Sequence, residues 1–233
     1  MKLSDLRIMA RALIPGSKVG SIKNPLLDAI LNAGVLDIAT HTACLKTNKK
    51  FTVTAEDYDY SLSSVLGDYL VMDRPGIYWN AGTAAAPDWQ QLDPRTLKYF
   101  DRHSSDWRDD DSDDPLEYSI DGDVLTLRPT PDTTLANGLW IYYGKRPTPM
   151  TAPGHYSFSG STTEYTHLSV FDDVILAYWE WKAQKILNKG QDQYKLKETA
   201  YRAIREEKFS LFKRRPDISF HRDAKLQGRK LRS

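Results

Sequence analysis

Apolar residues change their spacing twice along this chain, from helical to alternating near Lys50 and back to helical after Thr163. In the first stretch Leu6, Met9, Ala10 and Leu13 fall three or four residues apart. This predicts a short helix over Ser4–Leu13, stopped by Pro15-Gly16. Asn24-Pro25 opens a second helix: asparagine caps, and proline at the first helical position gives up an amide that has no helical partner. Leu26, Leu27, Ile30, Leu31, Val35, Ile38 and Ala39 continue the period, and Gly34 among them points to another backbone packed close by. From Lys50 the period is two. Phe51 and Val53, then Tyr58, Tyr60 and Leu62, alternate as strands do. Tyr69–Asp73 and Gly76–Asn80 read as a strand pair near an Arg74-Pro75 turn, and Asp93-Pro94 as the start of a short helix reaching about Arg102.

The segment Glu117–Pro147 carries the clearest pattern. Glu117–Ile120 and Val124–Leu127 alternate around Asp121-Gly122-Asp123, whose Asp-Gly pair suits a tight hairpin. Leu127-Arg128-Pro129-Thr130-Pro131 ends the second strand, and Gly138–Gly144, rich in aromatic and branched side chains, is expected to complete a three-stranded meander. Pro147–Thr163 reads as a crossing loop. Ser169-Val170-Phe171-Asp172 has the form of a capping box opening a helix to about Asn188. Phe171, Val174, Ile175, Tyr178, Trp179, Trp181 and Ile186 cover much of that helix, which predicts a central place in a helical layer or at a subunit interface. Asn188-Lys189-Gly190 breaks it. A last helix follows over about Asp192–Phe212, ended by Arg215-Pro216. The expected fold is α+β: N- and C-terminal helices (1–49 and 164–212) packed as a bundle, an inserted antiparallel β-rich module (50–163), and an extended basic tail (213–233).

Charge changes this picture. The net charge of +1 conceals a tail, 208–233, with nine basic side chains against two acids, so residues 1–207 sum to −6. Between Asp101 and Asp123, ten acids face only Arg102 and Arg108. An acidic body with a basic end suits electrostatically guided docking, including head-to-tail contact between identical subunits. A composition 40 % hydrophobic and 27 % charged is that of a globular protein. Cys44 is alone, which rules out an intramolecular disulfide, favours a reducing compartment and reads as a small buried hydrophobe near a helix end. Asp5 and Arg7 fall where a signal peptide needs an apolar run, and the longest apolar stretch, Val174–Trp179, is too short to span a bilayer, so no membrane association is expected.

Catalytic patterns are scarce. Counted as a calcium loop from Asp109, the run Asp109-Asp110-Asp111-Ser112-Asp113-Asp114 puts Asp114 where glycine is needed and Ile120 where glutamate is needed, so it reads as a solvated acidic loop. His41, His103, His155, His167 and His221 are scattered without zinc-ligand spacing, and the sequence holds no nucleophile elbow, phosphate loop or dinucleotide fingerprint. No metal, no cofactor and no enzymatic activity are expected. The tail supports three readings. Lys213-Arg214-Arg215 and Gly228-Arg229-Lys230-Leu231-Arg232 can grip nucleic acid through phosphates; the segment can be a disordered solubilising tail; or Ile218, Phe220 and Leu226 among the tail's charges can anchor an extended peptide in a partner's groove. Trp79, Trp89, Trp107 and Trp140 lie partly beside polar residues, and sequence leaves core and interface roles open for them.

The order of these pieces resembles head-to-tail adaptor (connector) proteins of tailed bacteriophages. The resemblance rests on a helix like Pro25–Thr40, a linker with Leu92-Asp93-Pro94 and Asp106-Trp107, and the run Asp121-Gly122-Asp123-Val124-Leu125-Thr126-Leu127-Arg128-Pro129-Thr130-Pro131. Tyr142-Tyr143-Gly144-Lys145-Arg146-Pro147 and the aromatic helix Phe171–Lys182 complete it. It implies a structural virion protein, assembled in the host cytoplasm, that forms a ring (commonly a dodecamer) joining the portal protein to a tail or nozzle protein. Such a ring extends the channel for double-stranded DNA, which passes without sequence-specific contact, and helps retain the packaged genome. It further implies that Lys213, Arg214, Arg215, Ile218, Phe220, Arg222, Lys225, Arg229, Lys230 and Arg232 bind the portal. Residues lining such a channel should avoid cationic adhesion to DNA, so Asp109, Asp110, Asp111, Asp113 and Asp114 are expected on the lumen or tail-side surface. The competing readings are a nucleic-acid-binding protein using the basic tail and a metal-dependent nuclease of unrecognised type.

Overall fold

Residues 1–14, 22–103, 107–108, 112–187 and 193–213 are described by a computed structural model of the chain. It is a mixed α+β structure that divides into two units. One takes Met1–Ile38 together with the described residues from Pro147 on; the other is Ala39–Arg146.

The first unit is helical. Helix α1 (Leu3–Ala12) buries Leu3, Leu6 and Ala10, and packs against α5 (Asp172–Leu187), whose Trp179 indole N–H donates to the Ala10 carbonyl at 2.7 Å. Helix α2 (Asn24–Thr42) meets α1 through a two-pronged ion pair, with Arg7 Nε and Nη2 at 2.8 and 2.6 Å from the Asp28 carboxylate. Asn24 does not act as the expected cap. The Leu27 amide donates to the Lys23 carbonyl, placing Asn24 inside the first turn, where its side chain accepts from Arg11 at 2.7 Å. Gly34 lies against a ring instead of a backbone: a Cβ there would stand 3.0 Å from Tyr178 Cδ1. Helix α6 (Gln193–Lys213) packs on α5 and reaches α2 through Asp37, which accepts the Tyr201 hydroxyl and, at 2.8 Å, Arg205 Nη1. Tyr201 stacks on Trp181 and meets Tyr178 edge-on, so one aromatic group fills the angle between α5 and α6.

The expected capping box at Ser169–Asp172 is absent. Thr166–Phe171 forms a 3-10 turn, and the Ser169 hydroxyl donates to the Thr166 carbonyl at 2.8 Å. Asp172 instead turns inward, accepting the Met1 ammonium at 3.0 Å and the Ser157 hydroxyl at 3.1 Å. Burial pushes its carboxyl pKa up, and the ammonium opposes that shift.

The second unit holds two four-stranded sheets. The first has the order β1-β8-β3-β4 (Lys46–Val53, Leu135–Lys145, Tyr69–Asn80, Trp89–Gln91) and is antiparallel throughout. The second has the order β2-β7-β6-β5 (Asp59–Ser61, Val124–Arg128, Glu117–Asp121, Asp93–Arg95), antiparallel except for the β5–β6 pair. Val53, Ile77, Trp79, Leu139, Ile141 and Tyr143 from one sheet and Tyr60, Tyr118, Leu125 and Leu127 from the other form a single core cluster. The hairpin forms as expected, with Asp121 opposite Val124 and Gly122 at φ +59°, a left-handed backbone that favours glycine. The meander does not. After Thr130 the chain leaves the hairpin's sheet, and β8 inserts between β1 and β3 of the other.

Three further expectations are corrected. Tyr69–Asn80 is one strand, not a turned pair: Met72 and Ile77 both face β8, opposite Tyr143 and Ile141, and Arg74-Pro75 lies in the bulge between them. Leu62 leaves the strand pattern to start a short helix α3 (Leu62–Leu66). The Asp123 carboxylate holds that helix start to the hairpin by accepting the Ser63 hydroxyl and amide at 2.6 and 2.8 Å and the Ser61 hydroxyl at 2.8 Å, which lowers its pKa. Asp93-Pro94 belongs to β5, and helix α4 (Leu97–His103) begins after Thr96, whose hydroxyl oxygen accepts from the Tyr99 amide at 3.2 Å. The expected stop at Pro15-Gly16 lies outside the described residues, as does the break at 188–190.

Two predictions follow from these contacts. Asp37→Ala removes the acceptor of the Tyr201 hydroxyl and of Arg205 Nη1, leaving Arg205 paired among the described residues with Glu206 alone, at 3.4 Å, and is expected to lower stability by about 2 kcal/mol in chemical denaturation. Asp37→Asn keeps an acceptor and costs less. Cys44 is buried, and burial pushes its thiol up to about 11. At pH 8 roughly one thiol in a thousand is ionised. Ellman's reagent should therefore react slowly with the native chain and at the ordinary rate in guanidinium; fast reaction with the native chain would contradict the packing.

Candidate assembly surface

Strand β8 alternates between the core and the opposite face of its sheet. Leu139, Ile141 and Tyr143 point inward, while Trp140 and Tyr142 stand on the other face, half-buried. Antiparallel register brings Asn48 opposite Tyr142, Lys50 and Tyr78 on either side of Trp140, and β4 carries Trp89 to the same group. The rings tile one another: Trp140 lies 4.7 Å from Tyr142, 5.3 Å from Trp89 and 6.1 Å from Tyr78, and Tyr78 meets Tyr142 edge-on at 5.8 Å. The Lys50 ammonium sits over two indoles at once, 4.6 Å from Trp89 and 4.8 Å from Trp140. Asn48 accepts the Trp140 indole N–H at 3.1 Å. Burial raises the Tyr78 and Tyr142 hydroxyls, the latter to about 12, so both phenols stay neutral at physiological pH. The face therefore presents a lysine clasped by aromatic rings, a surface suited to contact with an anionic or planar partner.

The sequence reading left Trp89 and Trp140 undecided and missed Tyr78, Tyr142 and Lys50. Gly138–Gly144 is legible as a strand, but Lys46–Lys49 carry no apolar alternation that marks them as one, and which strands pair is not legible. Trp79 and Trp107, by contrast, are core residues, each 1 % exposed.

Of the expected acidic loop, Asp113 and Asp114 lie within the described residues and Asp109, Asp110 and Asp111 outside them. Both described acids are exposed, but their roles differ. Asp114 accepts the Trp79 indole N–H at 3.0 Å; among the described residues Asp113 accepts only the neighbouring Asp114 amide at 2.8 Å, while its own amide donates to the Thr130 carbonyl. Beside them Leu116 is 62 % exposed, and its carbonyl accepts the Asp93 amide on the edge strand β5. Asp113, Asp114, Leu116 and Asp93 thus form an acidic edge with an apolar centre.

Of the expected portal-binding set, Lys213 ends α6, exposed, with its ammonium 4.1 Å from the Phe209 ring. Arg214, Arg215, Ile218, Phe220, Arg222, Lys225, Arg229, Lys230 and Arg232 lie outside the described residues. A cleft of about 450 Å³ lies between β5, α4 and β6, but its cation, Arg95, is already paired with Glu117 at 2.8 Å and Asp93 at 3.6 Å. Among the described residues no group of three His, Cys, Asp or Glu is placed to hold a metal, and no helix is long and apolar enough to cross a membrane. Compared with known proteins, the chain matches no family model and no curated sequence.

The division of labour in the acidic edge is testable. Asp114→Ala leaves a buried indole N–H without its acceptor and should cost about 1–2 kcal/mol in urea denaturation. Asp113→Ala should stay within about 0.5 kcal/mol of the parent. Equal effects would contradict these assignments.

Proposed function

We propose that this chain is a structural head-to-tail connector of a tailed bacteriophage, a ring-forming virion protein between portal and tail. The observation that carries the reading is the layout of the chain: a helical unit built from both chain ends, with a β unit set between its two sequence segments. The helix contacts Arg7–Asp28, Trp179–Ala10 and Asp37–Tyr201/Arg205 support the finer view that α1, α2, α5 and α6 pack as a bundle. Helix α6 delivers the chain directly to the basic residues from Lys213 on.

In this reading the protein works by assembly, not turnover. Residues 213–233 dock on acidic portal surface through arginine and lysine, with Ile218 and Phe220 as apolar anchors. Copies close a ring by heterologous contacts, one face of each meeting a different face of the next. The ring continues the channel for double-stranded DNA, helps retain the packaged genome and offers its far side to a tail or nozzle protein. The acidic residues 109–114 face the lumen or the tail side, where they do not hold passing phosphates.

The test is affinity capture from infected host lysate with the tagged full chain and with a form ending at Phe212. The full chain should recover a portal protein and the shortened form at most about a tenth as much. Equal recovery moves the docking element to the helices. Salt-sensitive recovery of nucleic acid without any portal favours the nucleic-acid-binding reading and overturns this one.

A further inference from the structure

The described residues of the β unit offer two surfaces of opposite character. One is the outer face of the first sheet, where Lys50 lies between Trp89 and Trp140 beside Tyr78 and Tyr142. The other is the acidic edge of the second sheet, where the exposed Asp113 and Asp93, the latter shared with Arg95 at 3.6 Å, lie beside the exposed Leu116. The first sheet packs its inner face against the second across the shared core, so its aromatic face points away from that sheet's edge strand β5. A copy therefore cannot satisfy its own lysine–aromatic face with its own acidic edge.

We propose that the lysine–aromatic face of one copy receives the acidic edge of a second copy. The match is one of charge and of shape-giving groups. Among the described residues Lys50 pairs with no carboxylate; its ammonium lies over two indole rings, which orient it without neutralising it. Asp113 is exposed and makes no ion pair among the described residues, so within them a carboxylate and a cation are each left for an outside partner. Half-buried Trp and Tyr around the cation supply the apolar centre that interfaces favour, and Leu116 supplies its counterpart. Because the two surfaces differ and lie on different sides of the unit, the contact is heterologous and propagates from copy to copy. This deepens the connector reading and rests on it only for the statement that the series closes into a ring.

The experiment is sedimentation velocity on the purified full chain over a concentration series at low and high ionic strength. The parent chain should associate, and added salt should weaken the association. Lys50→Glu and Asp113→Lys should each raise the dissociation constant about tenfold or more, and Lys50→Gln should raise it less. Both sites are exposed, so circular dichroism of the variants should match the parent. Mixing Lys50→Glu with Asp113→Lys should restore association, because each copy supplies the surface the other has lost.

A chain that stays monomeric at its highest soluble concentration and low salt overturns the proposal. So does association untouched by either reversal, or two variants that do not rescue each other. If the chain is monomeric and instead binds a single-stranded oligonucleotide, with binding lost in Trp140→Ala, the face belongs to nucleic acid and the proposal is overturned. Portal capture is read separately. Failure there with intact self-association removes the connector and leaves this interface; capture by a chain without self-association does the reverse.

Discussion

Strand β8 is hydrogen-bonded along both edges, to β1 on one side and β3 on the other, and its side chains alternate between two faces. That double pairing constrains the whole β unit. Moving β8 by one residue would turn Leu139, Ile141 and Tyr143 out of the core and drive Trp140 and Tyr142 into it. The register also fixes what stands beside Trp140: Lys50 on one neighbour and Tyr78 on the other. Core and candidate surface are thus two readings of one alternation. The core cluster that gathers the inner row from both sheets also sets where the outer row must stand.

A second constraint comes from the tryptophans. An indole N–H taken out of water needs an acceptor, and four tryptophans find four different ones: Asp114 for Trp79, Asp101 for Trp107, Asn48 for Trp140 and the Ala10 carbonyl for Trp179, while the buried Trp181 N–H has none among the described residues. Two of the four are acids from the strongly acidic stretch between Asp101 and Asp123. That stretch is therefore not uniformly solvated charge. Asp101 and Asp114 hold indoles within it, and Asp123 at its end clasps Ser61 and Ser63, while Asp113 makes no ion pair among the described residues. Composition counts these acids alike; their hydrogen bonds separate structural acceptors from charges available to a partner.

The parts legible in the sequence are those decided by neighbours along the chain. Helical spacing located α2, α5 and α6 to within a few residues, and Asp121-Gly122-Asp123 gave its hairpin because a glycine at φ +59° is a local requirement. What local pattern cannot carry is the choice of partner. Gly138–Gly144 was readable as a strand, but whether it pairs with the adjacent β7 or with β1, some ninety residues away, depends on which sheet needs Leu139 and Ile141. Arg74-Pro75 looked like a turn because proline usually punctuates strands; a bulge opposite β8 holds it within one strand instead. The cap at Asn24 and the box at Ser169 failed for a similar reason: Arg11 takes the Asn24 side chain, and Ser169 bonds back to Thr166. The lysine–aromatic face was invisible for want of pairing, since Lys50, Tyr78, Trp89 and Trp140 come from four strands.

Why a lysine between two indoles should suit contact with another copy follows from the costs of association. A free lysine must lose rotamer freedom and shed water before it can meet a carboxylate, which leaves exposed ion pairs worth little. Lys50 is already positioned by Trp89 and Trp140, and its hydrocarbon stem can lie along their faces. Part of the ordering is therefore complete in the single chain. The attraction that remains acts between partly hydrated groups at an exposed rim, so each contact is weak and sensitive to salt. In the proposed contact, free copies associate weakly and reversibly in solution. On a common platform, as the connector proposal has it, effective concentration would strengthen the same modest contact without any change in its chemistry.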